Sequence, residues 1–316
     1  MATYKEKVGT SVVNFAGNYP GVVEGELWYD STNKDFKYQY PNVTAAGSWR
    51  TGNNLNVGRS GVAGAGTRDA ALAIGGDVPP STAATELYDG TTWTEVNDLQ
   101  TARAALAASG TSTLALAFGG SGPSAKTETW NGTNWTEVNV MNAARVILAG
   151  DGTSTSSLAF GGSAPPNTNA TESWNGTCWT AVNNLNTARG ALAGAGADST
   201  SALAFGGSVS PRAQTELWNG STWTNVNGLG TGRTYVTGTG IATAALAIGG
   251  EVPPNTGKTE EWNGTNWTEV ADLASARNDL GSSGTTTAAL AFGGATPPGI
   301  VALTEEWTGA GAPIGA

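Results

Sequence analysis

The sequence predicts an all-β chain that closes as a ring of six four-stranded antiparallel sheets, preceded by a short β-hairpin segment. Three recurrences predict it. The stretch WNGTNWTEV at residues 130–138 returns letter for letter at 262–270, and close variants stand at 88–96, 174–182 and 218–226, so five copies follow at steps of about 44 residues. A second signature, LAFGG or LAIGG, ends at Gly76, Gly120, Gly162, Gly207, Gly250 and Gly294. The third is an arginine ahead of every Gly pair: Arg59, Arg103, Arg145, Arg189, Arg233 and Arg277. The unit therefore reads Arg, apolar run, Gly-Gly, Thr-Glu with an aromatic, Trp.

Periodicity assigns each part of the unit. In TLALAFGG, Leu114, Leu116 and Phe118 alternate with Ala115 and Ala117, a period of two with a bulky and a small face. Both faces are apolar, so both must be covered. Upstream, RAALAASG at residues 103–110 predicts a partner strand, joined through a Gly-Thr-Ser-Thr turn. Downstream, one aromatic strand ends at Trp130 and another begins at Trp135. The Asn-Gly-Thr-Asn between them gives Gly132 the positive φ of a tight hairpin, which sets the two indoles opposite each other. A four-stranded sheet with two apolar faces is unstable alone, and such sheets stack radially around an axis in a β-propeller.

The order of Arg, strand, Gly-Gly, aromatic strand, short turn and Trp strand resembles the Kelch-type propeller repeat, although this unit is shorter than the usual period of about 50. The resemblance covers roughly residues 50–307 and implies a six-bladed Kelch-like β-propeller in which Arg103, Gly119, Gly120, Glu128, Trp130 and Trp135 are the structural repeat residues. It implies little about activity, because propellers host many functions. Ring closure is expected to use both ends of the chain. LTEEW at 303–307 supplies a third strand with no second Trp after it, while Trp49 stands alone near the start. Seven blades are the alternative, if residues 26–49 form a separate blade with the C-terminal strand. The division expected is residues 1–46 as an N-terminal attachment segment and 47–316 as the propeller.

Composition narrows the function classes. With 316 residues, six such units and a short leading segment account for the chain. Charged residues are only 13% and Gly numbers 46, a balance that suits hairpin-rich β structure because apolar strands recur throughout. A net charge of −10 without a basic run argues against nucleic-acid or anionic-membrane partners. Apolar runs are too short for a membrane span, and MATYKEKVGT lacks the apolar core of a secretion signal. The single Cys178 excludes an internal disulfide and occupies a hairpin turn. The chain has no histidine, which removes the usual general base, the Ser-His and Cys-His pairs and the commonest metal ligand. A copper site like that of Kelch-fold oxidases is excluded, and no catalytic centre, metal or cofactor is expected.

The recurrent carboxylates Glu86, Glu128, Glu172, Glu216, Glu260 and Glu305 are expected to serve the fold, pairing with the recurrent Arg of the same or next blade. Asn-Gly-Thr or Asn-Gly-Ser at Asn131, Asn175, Asn219 and Asn263 matches a glycosylation acceptor, but the same letters make a hairpin turn, which is the reading adopted. Exposed Trp rings would stack on sugars as in a lectin; the alternative, favoured for the second Trp above all, is packing between blades. The segments after the Gly pairs vary freely and are rich in proline: Pro79, Pro80, Pro165, Pro166, Pro253, Pro254, Pro297 and Pro298 are the expected partner-binding positions, all on one rim.

The leading segment carries GELWYDSTNKDFKYQY, an expected hairpin whose Trp28, Tyr29, Phe36, Tyr38 and Tyr40 form an attachment surface. This stretch, with the repeated WNGTNWTEV and LAFGG units, resembles structural proteins of tailed bacteriophages, particularly marine ones, described as tail-fibre or Kelch-like. That resemblance implies a non-enzymatic virion protein: a tail-fibre, receptor-binding or decoration subunit assembled in the host cytoplasm and carried on the particle. Its partners would be other virion proteins or further copies of itself, and a host-surface glycan or protein. The alternative is a lectin-like or protein-binding propeller of cellular origin.

Overall fold

Each repeat folds into a four-stranded antiparallel sheet with its strands in chain order. In blade 2 they are Ala107–Gly110, Ala115–Phe118, Thr127–Trp130 and Trp135–Val138. The second strand is buried at every residue, as two covered apolar faces require. In the hairpin turn the Asn131 side-chain oxygen accepts the amides of Thr133 and Asn134 while Gly132 takes φ 90°, and Trp130 lies opposite Trp135 with ring centroids 5.4 Å apart. Two details depart from the sequence reading. Arg103 to Leu106 are not strand, because the chain turns at Ala105, where φ is 51°. Leu114 precedes the strand and is 55% exposed.

The computed structural model describes residues 4–5, 11–15, 27–38, 47–297 and 299–310. Among them the regular structure is strand, without helix. Blade 1 runs from Ala63–Gly66 to Trp93–Val96, blade 3 from Ala149–Gly152 to Trp179–Val182, blade 4 from Leu192–Asp198 to Trp223–Val226 and blade 5 from Thr237–Ile241 to Trp267–Glu269. Blade 6 joins Gly281–Gly284, Ala288–Phe292 and Thr304–Thr308 to an outermost strand, Ser48–Thr51, from the other end of the ring, with Trp307 opposite Trp49. The result is a β-propeller of six blades, closed as expected, and the seven-bladed arrangement is excluded.

Two sets of contacts stitch each blade to its neighbour. In every blade the outermost Trp donates its indole N–H to the threonine that opens the third strand of the preceding blade. Trp135 reaches Thr85, Trp179 reaches Thr127, Trp223 reaches Thr171 and Trp267 reaches Thr215, and the circle closes through Trp49 to Thr259 and Trp93 to Thr304, all at 3.0–3.1 Å. Where the preceding second strand ends in Phe, the same indole packs on that ring, as Trp179 does on Phe118 at 4.9 Å. The second set is backbone. The second glycine of each pair donates to the carbonyl of the next blade's arginine at 2.9–3.1 Å, Gly76 to Arg103 through to Gly294 to Arg59. Glycine is required at both positions of the pair: a Cβ on Gly75 would stand 2.5 Å from the Arg103 carbonyl oxygen, and Gly76 takes φ 114°.

The exceptions in the repeat belong to the seam where the chain ends meet. Five blades carry Trp at the end of the third strand, and each of these donates to a carbonyl in its own blade, as Trp130 does to Ser112. Blade 1 has Tyr88 instead, and its hydroxyl donates to Glu306 of blade 6 at 2.8 Å while Arg50 bonds the other oxygen of that buried carboxylate. An asparagine after the outermost strand likewise donates to the next hairpin turn: Asn53 to Thr91, Asn97 to Thr133, Asn139 to Thr177, Asn183 to Ser221 and Asn227 to Thr265. The sixth position is Ala271. Blade 6 has no such turn to receive a bond, because its last two strands come from opposite ends of the ring.

The ring, Ala46–Gly309, forms one compact unit and the leading strands belong to another. In the latter, Leu27–Asp30 and Asp35–Tyr38 form the expected hairpin, with the Asp30 carboxylate accepting the amides of Thr32 and Asn33. The hairpin is not alone: Ser11–Phe15 pairs parallel to Leu27–Asp30, and Tyr4–Lys5 antiparallel to Ser11–Phe15.

Deletion of residues 1–52 removes the outermost strand of blade 6 and bares Trp307. It is expected to lower the free energy of unfolding by at least about 3 kcal/mol, whereas deletion of 1–46 leaves the ring cooperative and near its original midpoint. Chemical denaturation followed by tryptophan fluorescence distinguishes the two, and equal midpoints would contradict this closure.

Candidate functional site

The recurrent Arg and Glu meet inside every blade. Arg103, on the loop entering blade 2, reaches Glu128 on the third strand at 2.8 Å, and the carbonyls of Gly119 and Lys126 at 2.9 Å. Equivalent pairs join Arg59 to Glu86, Arg145 to Glu172, Arg189 to Glu216, Arg233 to Glu260 and Arg277 to Glu305. All twelve side chains are buried. Burial pushes the guanidinium of Arg59, Arg103, Arg145, Arg233 and Arg277 below its ordinary range, and the paired carboxylate opposes that shift. The second oxygen of each Glu accepts a backbone amide of the connection between blades at 2.6–2.8 Å, Gln100 in the case of Glu128. Both oxygens are thus engaged in the frame. No group of three or more His, Cys, Asp or Glu side chains among the described residues is placed to hold a metal.

Tryptophan is equally committed. Trp130 and Trp135 are 3% and 2% exposed, and in the complete hairpins only Trp267 rises to half-buried. With their N–H groups bonded inside the ring, these indoles offer no open face for stacking a sugar.

What remains free is the rim carrying the loops after the Gly pairs. Pro79, Pro80, Pro165, Pro166, Pro253, Pro254 and Pro297 are exposed, and Pro298 lies outside the described residues. Their loops are held at the base: the amides of Thr82, Thr168 and Thr256 donate back to Gly76, Gly162 and Gly250. They also reach sideways, Asn167 to Ser208 and Asn255 to Ala295 of the next blade. Proline tips therefore project from a fixed base. Of the leading aromatics, Trp28 is buried, Tyr29 is half-buried against Phe36 with centroids 5.2 Å apart, and Phe36 is 63% exposed. Tyr38 belongs to the strand Asp35–Tyr38, and Tyr40 lies outside the described residues.

At the centre of the same rim the structure holds a feature that sequence reasoning missed. Two residues after each arginine the backbone takes a left-handed conformation, at Gly61, Ala105, Ile147, Ala191, Tyr235 and Asp279, with φ from 50° to 58°. Each of these amides donates to the carbonyl of its counterpart one blade back, Ala105 to Gly61 and onward until Gly61 closes on Asp279, at 2.8–3.1 Å. This collar rings the mouth of an axial cavity of about 130 Å³ lined by the innermost strands. The backbone makes the bonds, so the six side chains share no type and leave no motif.

Polar side chains at this rim come from two collar positions and from the positions that follow the Gly pairs. On the side of blades 5, 6 and 1 stand Tyr235, Glu251, Asp279 and Asp77, whereas the positions following the Gly pairs of blades 2, 3 and 4 are Ser121, Ser163 and Ser208. One half of the rim is acidic and the other rich in hydroxyls. Burial, with Asp77 nearby, pushes the Asp279 carboxyl up to about 6, and burial together with Asp279 and Glu251 raises the Tyr235 phenol. No protein-family model matches the chain, and no curated protein matches it.

Because the folded carboxyl of Asp279 holds its proton more tightly than the unfolded one, its contribution to stability is fully present below about pH 4 and is lost as pH rises through about 6. NMR titration of Asp279 is expected to give a midpoint near 6 that falls in Asp77→Asn. A midpoint at the ordinary aspartate value would contradict this environment.

Proposed function

We propose that this chain is a non-enzymatic binding propeller that serves as a structural protein of a tailed-bacteriophage virion, as a tail-fibre, receptor-binding or decoration subunit. The observation that carries the binding part is the contrast between frame and rim. Every recurrent Arg and Glu is spent inside the ring, while the proline loops differ from blade to blade and stand exposed on a fixed base. A surface that varies on an unvarying support is suited to reading a partner. The acidic half of its mouth favours a partner presenting basic groups, and the hydroxyl-rich half suits hydrogen bonding to a host protein or glycan.

The absence of histidine and the engagement of both oxygens of each recurrent Glu support the non-enzymatic reading. Placement on a virion rests on the resemblance of the repeated units and the aromatic leading segment to phage structural proteins. In this reading Phe36 and the strands around it face the particle, and the proline rim faces outward.

Labelling of purified particles with an antibody against the propeller, viewed by electron microscopy, is expected to decorate the tail or capsid surface. Deleting residues 1–46 should abolish incorporation, and replacing residues 78–81 by Gly-Ser should leave incorporation intact while reducing adsorption to host cells at least about tenfold, an energetic loss of about 1.4 kcal/mol. Particles without label, or normal incorporation of the truncated chain, would contradict the proposal.

A further inference from the structure

In each innermost strand one residue lies opposite the recurrent leucine of the second strand: Ala65, Ser109, Asp151, Ala195, Thr239 and Ser283. Where this residue bears a hydroxyl, it donates across the joint to a carbonyl in the turn of the next blade. Ser109 reaches Thr153, Thr239 reaches Gly284 and Ser283 reaches Thr67, at 3.3, 2.7 and 3.1 Å. Blade 3 carries a carboxylic acid in that place. Asp151 is 7% exposed, and neither of its carboxyl oxygens receives a hydrogen bond.

Its neighbours across the joint are tight and offer no cation. A Cβ on Gly196 of blade 4 would stand 2.7 Å from both Asp151 Oδ1 and the Ser201 carbonyl oxygen, and one on Gly194 would stand 3.4 Å from Oδ2. Among the described residues, the charged group acting on Asp151 is Asp198, which has the same sign. Asp198 stays ionised, since the Thr200 hydroxyl and amide hold its carboxyl below the usual range. An ionised Asp151 would be a buried charge with no donor bonded to either oxygen, whereas a neutral carboxyl presents one O–H, as serine and threonine do in blades 2, 5 and 6. Leaving a buried carboxylate without a partner costs more than protonating it.

We propose that Asp151 is carried as a neutral carboxyl at the joint between blades 3 and 4, making this joint a proton-sensitive seam of the ring. Burial and Asp198 both raise the Asp151 carboxyl well above the ordinary range. The sign follows from linkage: the folded state holds this proton more tightly than the unfolded chain, so the stabilisation is complete below about pH 4 and is lost as pH rises toward the folded value.

The test compares the full chain with Asp151→Asn, whose amide keeps shape and donor without a titration, and with Asp151→Ser, which copies Ser109. Asp279 also titrates, so the quantity read is the difference between parent and variant. From pH 5 to pH 8.5 the parent is expected to lose about 5 °C more in Tm than either variant. The infrared difference between parent and variant at pH 5 should show a protonated-carboxyl C=O stretch. If one variant fails to fold, the other carries both readings. Equal pH slopes, absence of that stretch, or a calcium-dependent rise in parental Tm that Asp151→Asn abolishes would overturn the proposal, the last by assigning the carboxylate to a cation.

Discussion

The ring depends on a buried ion pair repeated six times. Removing an arginine and a glutamate from water costs several kcal/mol each, and their attraction repays this only where the remaining donors and acceptors are also bonded. In blade 2 both terminal nitrogens of the arginine and both oxygens of the glutamate are bonded, while the buried Nε of each recurrent arginine has no hydrogen-bond partner. The guanidinium of Arg103 bonds the carbonyls of Gly119 and Lys126 at the two ends of the loop between the second and third strands, and the far oxygen of Glu128 holds the Gln100 amide on the connection from blade 1. Arg103 also offers its own carbonyl to Gly76 of blade 1. A single pair thus joins the loop base, the third strand and the neighbouring blade.

From that anchoring the division of labour follows. Loops between the second and third strands begin and end on groups fixed by the arginine, so their tips can change without disturbing the sheets. The collar at the axial mouth uses only backbone amides and carbonyls, which releases its six side chains to differ. Tyr235 and Asp279 can therefore stand on the collar where other blades carry glycine, alanine or isoleucine. The same logic reaches the exceptions. Tyr88 stands where other blades have Trp because Glu306 of the closing blade needs a donor there, and Ala271 replaces the asparagine latch where no hairpin turn follows.

Much of this was legible in the letters. Blade number, closure by Trp49 and Trp307, the facing indoles and the internal use of Glu followed from spacing and from residue types with narrow roles. The Thr ahead of each Glu was visible as a repeat, but its service as acceptor for the next blade's indole was not, because threonine suits any strand. The collar was beyond reach for a stronger reason: left-handed φ at Ala105, Ile147 and Tyr235 contradicts local preference and is imposed by bonds between blades. Asp151 carries no such signal in the letters, because the residues at its position in the other blades share no type.

The most direct test of the frame is a double-mutant cycle on Arg103 and Glu128, using Arg103→Met, Glu128→Gln and the combination, with unfolding free energies from denaturant titration. Each single change leaves a buried charge without its partner and should cost about 3–5 kcal/mol, while the pair together should cost little more than the worse single change. Losses below about 1 kcal/mol for the single changes, or strictly additive losses, would contradict the account and shift the weight of the ring onto its tryptophans.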